Sequence, residues 1–390
     1  MHDRTLSIQD VREIAGGLGD EVHRFTGRCV LITGGSGFLG RAFTDFFEYA
    51  NEQLLASPCR VVSMDNHIVR GGSGGPASNG VRHIQADVTR PMQVDGPVHF
   101  IIHAAGIASP VYYRKFPLET LETATIGTTN ALRMAVEKGV EAFLYFSSSE
   151  IYGDPAPSAV PTPETYRGNV SCLGPRACYD ESKRAGETLC YIFHGKHGVP
   201  TKIVRPFNFY GPGMAAADYR VLPTFACSAL KGESLKVFGG GSQTRTMCYL
   251  SDGIAGCLRV LLLGTPGEPY NIGNTDPEIS IMDLAKLLRD VTGLPLEIEL
   301  FEYPDAYPTD EPMRRCPDLS KAFGHLGYRP RVGLRDGLRR FMAWAEHNYE
   351  VGKVVRKVMP EAPAMDLGAF PLGSVEPMPG TYAGGPQLEA

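Results

Sequence analysis

The sequence predicts a doubly wound α/β domain on a parallel sheet, followed by a smaller C-terminal lobe, and three observations carry that prediction. From Arg28 onward, short uninterrupted apolar runs alternate with helix-length amphipathic segments. A glycine-rich turn directly follows the first run, and beyond about Pro206 the elements shorten while proline and glycine become more frequent. Apolar runs of strand length without in-out alternation suit strands covered on both faces. Their alternation with helices is the pattern of parallel strands joined by crossovers.

Taken in order, residues 1–26 carry mixed charge and one amphipathic stretch (Ile8, Val11, Ile14, Leu18), which predicts a short helical extension. The strand runs are Cys29–Thr33, Arg60–Met64, Phe100–His103, Phe143–Phe146 and Lys202–Val204. Helix-forming sequence follows the glycine-rich turn over Arg41–Tyr49, and Arg70–Pro76 is loop chemistry between the second and third strands. These elements predict a dinucleotide-binding domain over 27–205 and a substrate lobe over 206–350, closed by a helix at Leu334–Asn348. Residues 351–390, rich in proline and glycine, read as an irregular tail.

Composition narrows the class. The 390 residues are 43% hydrophobic and 21% charged, which excludes wholesale disorder, and such a chain can bury a core without disulfides or metals. A net charge of −5 gives no general attraction to nucleic acid or anionic membrane. The nine cysteines are scattered, odd in number and without a CxxC pair, so a disulfide framework and a zinc site are not expected and no metal is predicted. Reduced core cysteines, no apolar leader after Met1 and no run long enough to span a bilayer predict a soluble, cytoplasmic protein.

Thr33-Gly34-Gly35-Ser36-Gly37-Phe38-Leu39-Gly40 follows the first strand and opens a helix, with glycines spaced GxxGxxG. Gly34, Gly37 and Gly40 let the chain turn tightly and approach a pyrophosphate, which then rests on the helix N-terminus beside Phe38 and Leu39. The second strand ends at Asp65-Asn66, where a carboxylate accepts ribose hydroxyls and repels a 2′-phosphate, so NAD is favoured over NADP. Asp87-Val88 ends the next strand and is a candidate adenine contact, with a turn or cap aspartate as the competing reading. His103-Ala104-Ala105-Gly106 ends the fourth with small residues at Ala104 and Ala105, as backbone lying close to a cofactor requires; His103 itself reads as packed rather than catalytic.

Tyr179 and Lys183 stand four apart, on one face of a helix. A nearby ammonium stabilises a phenolate, which predicts a lowered tyrosine pKa and a usable base near neutrality. Ser147-Ser148-Ser149, at the end of the fifth strand, supplies a hydroxyl to orient a substrate oxygen.

With these motifs in this order, the chain resembles the extended short-chain dehydrogenase/reductase family over roughly residues 27–345, and within it the UDP-glucuronate decarboxylases. The narrower likeness rests on Ser149-Glu150-Ile151-Tyr152-Gly153-Asp154-Pro155, on Gly174 through Arg184 (GPRACYDESKR), and on Gly241-Ser242-Gln243-Thr244-Arg245. The resemblance implies a Rossmann-like fold, bound NAD and a UDP-sugar substrate. It implies that Tyr179 takes the proton of the sugar 4-hydroxyl as hydride leaves C4, with Ser148 holding that hydroxyl and Lys183 beside the nicotinamide ribose. Carbon dioxide is then lost from the carboxylate β to the new ketone. Asn208, Arg220, Arg245 and Arg315 fall where relatives hold the sugar diphosphate and nucleotide; Arg314 or Arg315 also faces the substrate carboxylate or guides protonation, in an order the sequence leaves open. A homodimer through a four-helix bundle, formed by about Leu118–Lys138 and Pro175–His197, is implied in the same way.

Ser149 and Glu150 discriminate within the family. Related 4,6-dehydratases carry an Asp-Glu pair here, and Ser149 cannot act as that acid; 4-epimerases lack the glutamate. A 4-epimerase or 4,6-dehydratase is therefore the alternative enzyme reading, and an NAD-binding regulatory protein the alternative without catalysis. Departures from the decarboxylase pattern occur at Ala104, Gly106-Ile107, Ala124 and Cys316. They leave the product open between UDP-xylose and a released UDP-4-keto-pentose.

Overall fold

The structure is a computed structural model that describes residues 5–69, 80–302 and 312–350. The loop expected at Arg70–Pro76 and the tail expected beyond residue 350 lie outside those residues. The apolar runs form β1 (Cys29–Thr33), β2 (Arg60–Asp65), β4 (Phe100–His103), β5 (Ala142–Phe146) and β6 (Thr201–Pro206), with β3 (Val81–Gln85) at one edge. A strand at Pro269–Ile272 completes a seven-stranded parallel sheet on the far side of β6, in the order Pro269–Ile272, β6, β5, β4, β1, β2, β3. Every residue of β1, β4 and β5 is buried, which is why these stretches read as continuous apolar runs. From β1 the chain winds outward to β3 and returns to β4 on the other side. The crevice at the carboxyl ends of β1 and β4 is thus the place where such sheets bind ligands.

The helix after the glycine turn spans Phe38–Gln53, three residues earlier and four later than the sequence suggested, with Phe43, Phe46 and Phe47 on its buried face. The N-terminal extension is part of this core. Ser7 and Asp10 form a capping box that starts a helix at Ile8–Leu18, whose Val11, Ile14 and Leu18 are buried against the helix Leu250–Leu263. The Leu6 amide donates to Asp45 Oδ2 at 2.8 Å, and Arg340 Nη1 reaches Glu13 Oε2 at 2.8 Å.

The second lobe has its own core of Leu222, Phe225, Val237, Leu284, Leu288 and Phe341. The helices Val221–Lys231, Ile281–Thr292 and Leu334–Asn348 supply most of it. The strand Pro269–Ile272 and the helix Leu250–Leu263 lie beyond Pro206 in sequence yet bury Tyr270, Ile272, Leu258 and Leu261 with the parallel sheet. The chain therefore passes between the two cores more than once. The cysteines among the described residues are free, most of them buried, and no helix of these residues is long and apolar enough to cross a membrane.

Candidate active site

At the end of β1, Gly34 adopts φ +72°, and a Cβ there would lie 2.7 Å from the Ala104 carbonyl oxygen and 2.8 Å from Ala105 Cα. A Cβ on Gly40 would lie 2.2 Å from the Gly34 oxygen. Only glycine fits either position, and the turn brings the Ala104-Ala105 backbone against the loop. Gly37 is the N-cap of the helix starting at Phe38, and no side chain caps it. Its first amides are the orphan donors that a pyrophosphate satisfies. Asp65 Oδ2 accepts the Ser36 amide at 3.0 Å and Oδ1 the His67 amide at 2.7 Å, which fixes the carboxylate while leaving each oxygen a lone pair for a ribose hydroxyl. This cradle, donor set and carboxylate fit a dinucleotide.

Asn66 accepts the Ile68 amide at 3.1 Å in the same turn. Asp87 Oδ1 is engaged by the Thr89 amide and hydroxyl at 2.9 and 2.8 Å, the local turn that was its competing reading. Val88 is buried, and a Cβ on Gly127 would come within 2.7 Å of it. His103 bridges Thr33 Oγ1 at 2.7 Å and Thr128 Oγ1 at 3.1 Å; burial and the nearby Lys183 charge lower its pKa to about 3, so it stays neutral and structural.

The helix Ala177–His197 carries Tyr179 and Lys183, both buried, up to the end of β5. The Ser148 side chain lies near enough to Tyr179 to pull the phenol's pKa down, and it accepts the Glu150 amide at 3.2 Å. Lys183 Nζ donates to the Phe146 carbonyl at 2.8 Å and lies 5.7 Å from the Tyr179 ring centre. A Cβ on Gly106 would lie 3.1 Å from Nζ, so that glycine makes room for the ammonium. One expectation is corrected. Burial pushes the Tyr179 phenol up to about 12 rather than down, with the Glu150 and Asp180 charges adding to it against the pull of Ser148 and Arg220. Burial likewise lowers Lys183 to about 8. Tyr113 stacks on Tyr179 with ring centres 5.4 Å apart, and Ile107, one of the departures, packs against both.

Ser149 is buried and Glu150 begins the turn beside it. Arg315 grips Glu150 at both oxygens, Nη1 to Oε1 at 2.7 Å and Nη2 to Oε2 at 2.8 Å. Arg176, at the start of the helix Ala177–His197, bonds the same Oε2. Arg176 Nε also lies 3.6 Å from Asp180 Oδ2, one turn further along. Arg314 turns away to Glu278, with Nε at 2.7 Å and Nη2 at 2.8 Å. Adjacent arginines on a strand point to opposite faces, which explains the division.

In the second lobe, Asn208 adopts φ +45° and donates to the Thr246 carbonyl at 2.8 Å. Arg245 is buried, and its strand pairs in register with Arg315, so the two arginines are neighbours. Arg220 is held by Asp218, with Nε 3.0 Å from each carboxylate oxygen, and its guanidinium lies 5.8 Å from the Phe38 ring centre. The structure thus gathers Ser148, Ser149, Glu150, Tyr179, Lys183 and Arg315, and sets Arg220 against the glycine loop. Sequence reasoning quoted Arg176 and Asp180 within a motif but gave them no role; their i, i+4 spacing was the available signal.

A glycine cradle, an acidic strand end and a buried Tyr-Lys-Ser set at the carboxyl ends of a parallel sheet define a dinucleotide-dependent oxidoreductase-type site. Residues 30–273 match the NAD dependent epimerase/dehydratase family, and the chain belongs to it; NAD is its cofactor. It is 40% identical over 311 residues to UDP-glucuronic acid decarboxylase 5 of Arabidopsis thaliana, covering 79% of this chain and 86% of that protein. It is 39% identical to UDP-glucuronic acid decarboxylase 1 of Xenopus tropicalis, covering 80% and 70% of the two chains. Among solved structures it is similar to the epimerase Mth375 of Methanothermobacter thermautotrophicus, with a TM-score of 0.74, 25% identity, and coverage of 88% and 98%. It is also similar to the dTDP-glucose 4,6-dehydratase DesIV of Streptomyces venezuelae, solved with NAD bound, with a TM-score of 0.69, 26% identity, and coverage of 82% and 97%.

Proposed function

We propose that this enzyme oxidises UDP-glucuronate at C4, decarboxylates it, and yields UDP-xylose or a UDP-4-keto-pentose. The observation that carries the reading is the Glu150–Arg315 pair set beside the Ser148–Tyr179 pair. One half of the site handles a hydroxyl, the other a carboxylate, as this reaction requires. NAD, held by the glycine turn and Asp65, would supply the acceptor for the C4 hydride and the donor for its return. Ser148 orients the 4-hydroxyl and Tyr179, acting as the phenolate that Lys183 supports, receives its proton and becomes the phenol. The resulting 4-keto acid loses carbon dioxide and leaves an enolate, whose charge falls to Arg315 to stabilise. A proton from water then restores C5. Arg245, Arg220 and Asn208 are the diphosphate and nucleotide contacts, the arginines because their forked donors match phosphate oxygens. The test is incubation with UDP-glucuronate and NAD⁺, following carbon dioxide and sugar products by mass and NMR. Carbon dioxide with UDP-xylose means a full redox cycle, carbon dioxide with the 4-keto pentose an oxidative decarboxylase, and no carbon dioxide defeats the reading.

The same reading includes a cytoplasmic homodimer. Leu118, Leu121 and Ile126 on one helical segment and Tyr191 and Ile192 on the neighbouring helix expose apolar surface side by side, as a bundle interface needs. Light scattering on a Tyr191→Glu variant is expected to give a lower mass than the native chain; equal masses would defeat the dimer at this face.

A further inference from the structure

Arg176 stands between two carboxylates and cannot serve both equally. Its Nη2 is bonded to Glu150 Oε2, whereas its Nε reaches Asp180 Oδ2 only at 3.6 Å, beyond hydrogen-bonding distance. Asp180 is buried, with 8% of its surface exposed, and its Oδ1 has no hydrogen-bond partner among the described residues. A buried carboxylate so poorly paired is costly to keep charged. The groups facing it are Glu150 from the turn after β5, Arg315 from the strand Arg314–Arg315, Tyr113 from the helix Pro110–Lys115, and Arg176 and Tyr179 on its own helix. Burial first, then the Glu150 charge, push its pKa up to about 7 against the pull of the two arginines.

We propose that Asp180 is a positioning residue: it competes with Glu150 for Arg176 and thereby sets how firmly Glu150 holds Arg315. With a proton on Asp180, Arg176 belongs to Glu150, whose demand on Arg315 is shared. When Asp180 ionises, it draws Arg176 toward itself, and Glu150 must take more of Arg315. The arginine that meets the substrate carboxylate and the enolate is then less available. The effect falls chiefly on carbon dioxide loss, because Asp180 reaches Arg315 through Arg176 and Glu150, whereas it acts on Tyr179 only as one neighbouring charge among several. This inference rests on the decarboxylase reading of the site.

The experiment uses the full chain with NAD⁺ and UDP-glucuronate across about pH 5.5 to 9, bracketing the titration of Asp180. Carbon dioxide release is followed beside single-turnover NADH absorbance. The native enzyme is expected to lose carbon dioxide release as pH rises through about 7, approaching tenfold per unit, while NADH formation does not follow that fall. Asp180→Asn, which is isosteric and cannot ionise, is expected to abolish the fall. Arg176→Lys is expected to slow carbon dioxide release about tenfold with NADH formation retained, since a point charge cannot bridge as a fork does. Glu181→Gln, on the same helix but paired with Arg184, serves as the control with the native profile. A native-like fall in Asp180→Asn, or equal slowing of both steps in Arg176→Lys, would overturn the positioning role. NADH formation reports that each variant is folded, and if Asp180→Asn forms none, the Arg176→Lys comparison decides. A native chain that releases no carbon dioxide defeats the decarboxylase reading and this inference with it.

Discussion

The hydroxyl-handling and carboxylate-handling sides of the site are built differently. Tyr179 and Lys183 share one helix, and Ser148 sits just past the end of β5, an interior strand beside it, so this side is assembled by one helix docking on one sheet. Glu150, Arg176 and Arg315 come from a turn, a helix start and a two-residue strand of the second lobe, 165 positions separating Glu150 from Arg315. The first side is held by packing: Tyr113 and Ile107 on Tyr179, and the Phe146 carbonyl on Lys183. The second is held by charge, with two guanidiniums on one carboxylate. Packing keeps its geometry whatever the pH, whereas a charge cluster responds to any member that titrates. Near pH 7 the carboxylate side should accordingly respond through Asp180, whereas the hydroxyl side titrates higher, through Lys183 at about 8 and Tyr179 at about 12.

Removing the phenol gives the largest effect. Tyr179→Phe keeps the ring stack on Tyr113 but removes the base, and is expected to lower turnover by about 10²–10⁴ with NADH formation and carbon dioxide release lost together. A variant indistinguishable from the native enzyme would sink the catalytic reading altogether. Arg315→Gln attacks the other side. Carbon dioxide release is expected to fall by about 10²–10³ while a single turnover still reduces NAD⁺, so a 4-keto acid accumulates. Equal loss of both steps would mean that the two sides are not separable.

The smallest effect lies away from the chemistry and tests whether packing alone shields a region from pH. Asp45, buried under the N-terminal segment, is pushed up to about 7 by burial, against the Leu6 amide that it accepts. Its folded pKa exceeds the unfolded value, so its contribution to stability is fully present below pH ~4 and is lost as pH rises through about 7. Thermal unfolding is expected to show less stability at about pH 8 than at about pH 6, and Asp45→Asn should flatten that slope by about 1–3 kcal/mol. An unchanged slope would place the pH dependence elsewhere.

Residues whose chemistry depends on neighbours in sequence were legible beforehand. The glycine turn, Asp65, Ala104-Ala105, Ser148 and the Tyr179–Lys183 spacing need only a strand end or a helical turn to come into place. Arg315 was singled out, but its choice over Arg314 followed only from which face of a short strand meets Glu150. Arg176 and Asp180 lay inside a quoted motif without a role, because a helical repeat does not reveal what stands opposite the helix. The expected lowering of the Tyr179 pKa failed for a related reason: sequence spacing reveals the ammonium but not the depth of burial, and burial dominates.

By itself, then, the sequence determined the parallel-sheet architecture, the dinucleotide crevice and the redox helix, since apolar runs, glycine spacing and i, i+4 placement act over a few residues. Only the tertiary structure decided how the carboxylate side is wired. It also decided that the N-terminal helix is core rather than appendage, and that Pro269–Ile272 returns to the sheet after the chain has entered the second lobe. Those outcomes depend on which charged and apolar groups, far apart along the chain, lose water together. Burial is a property of the whole fold, and no local pattern encodes it.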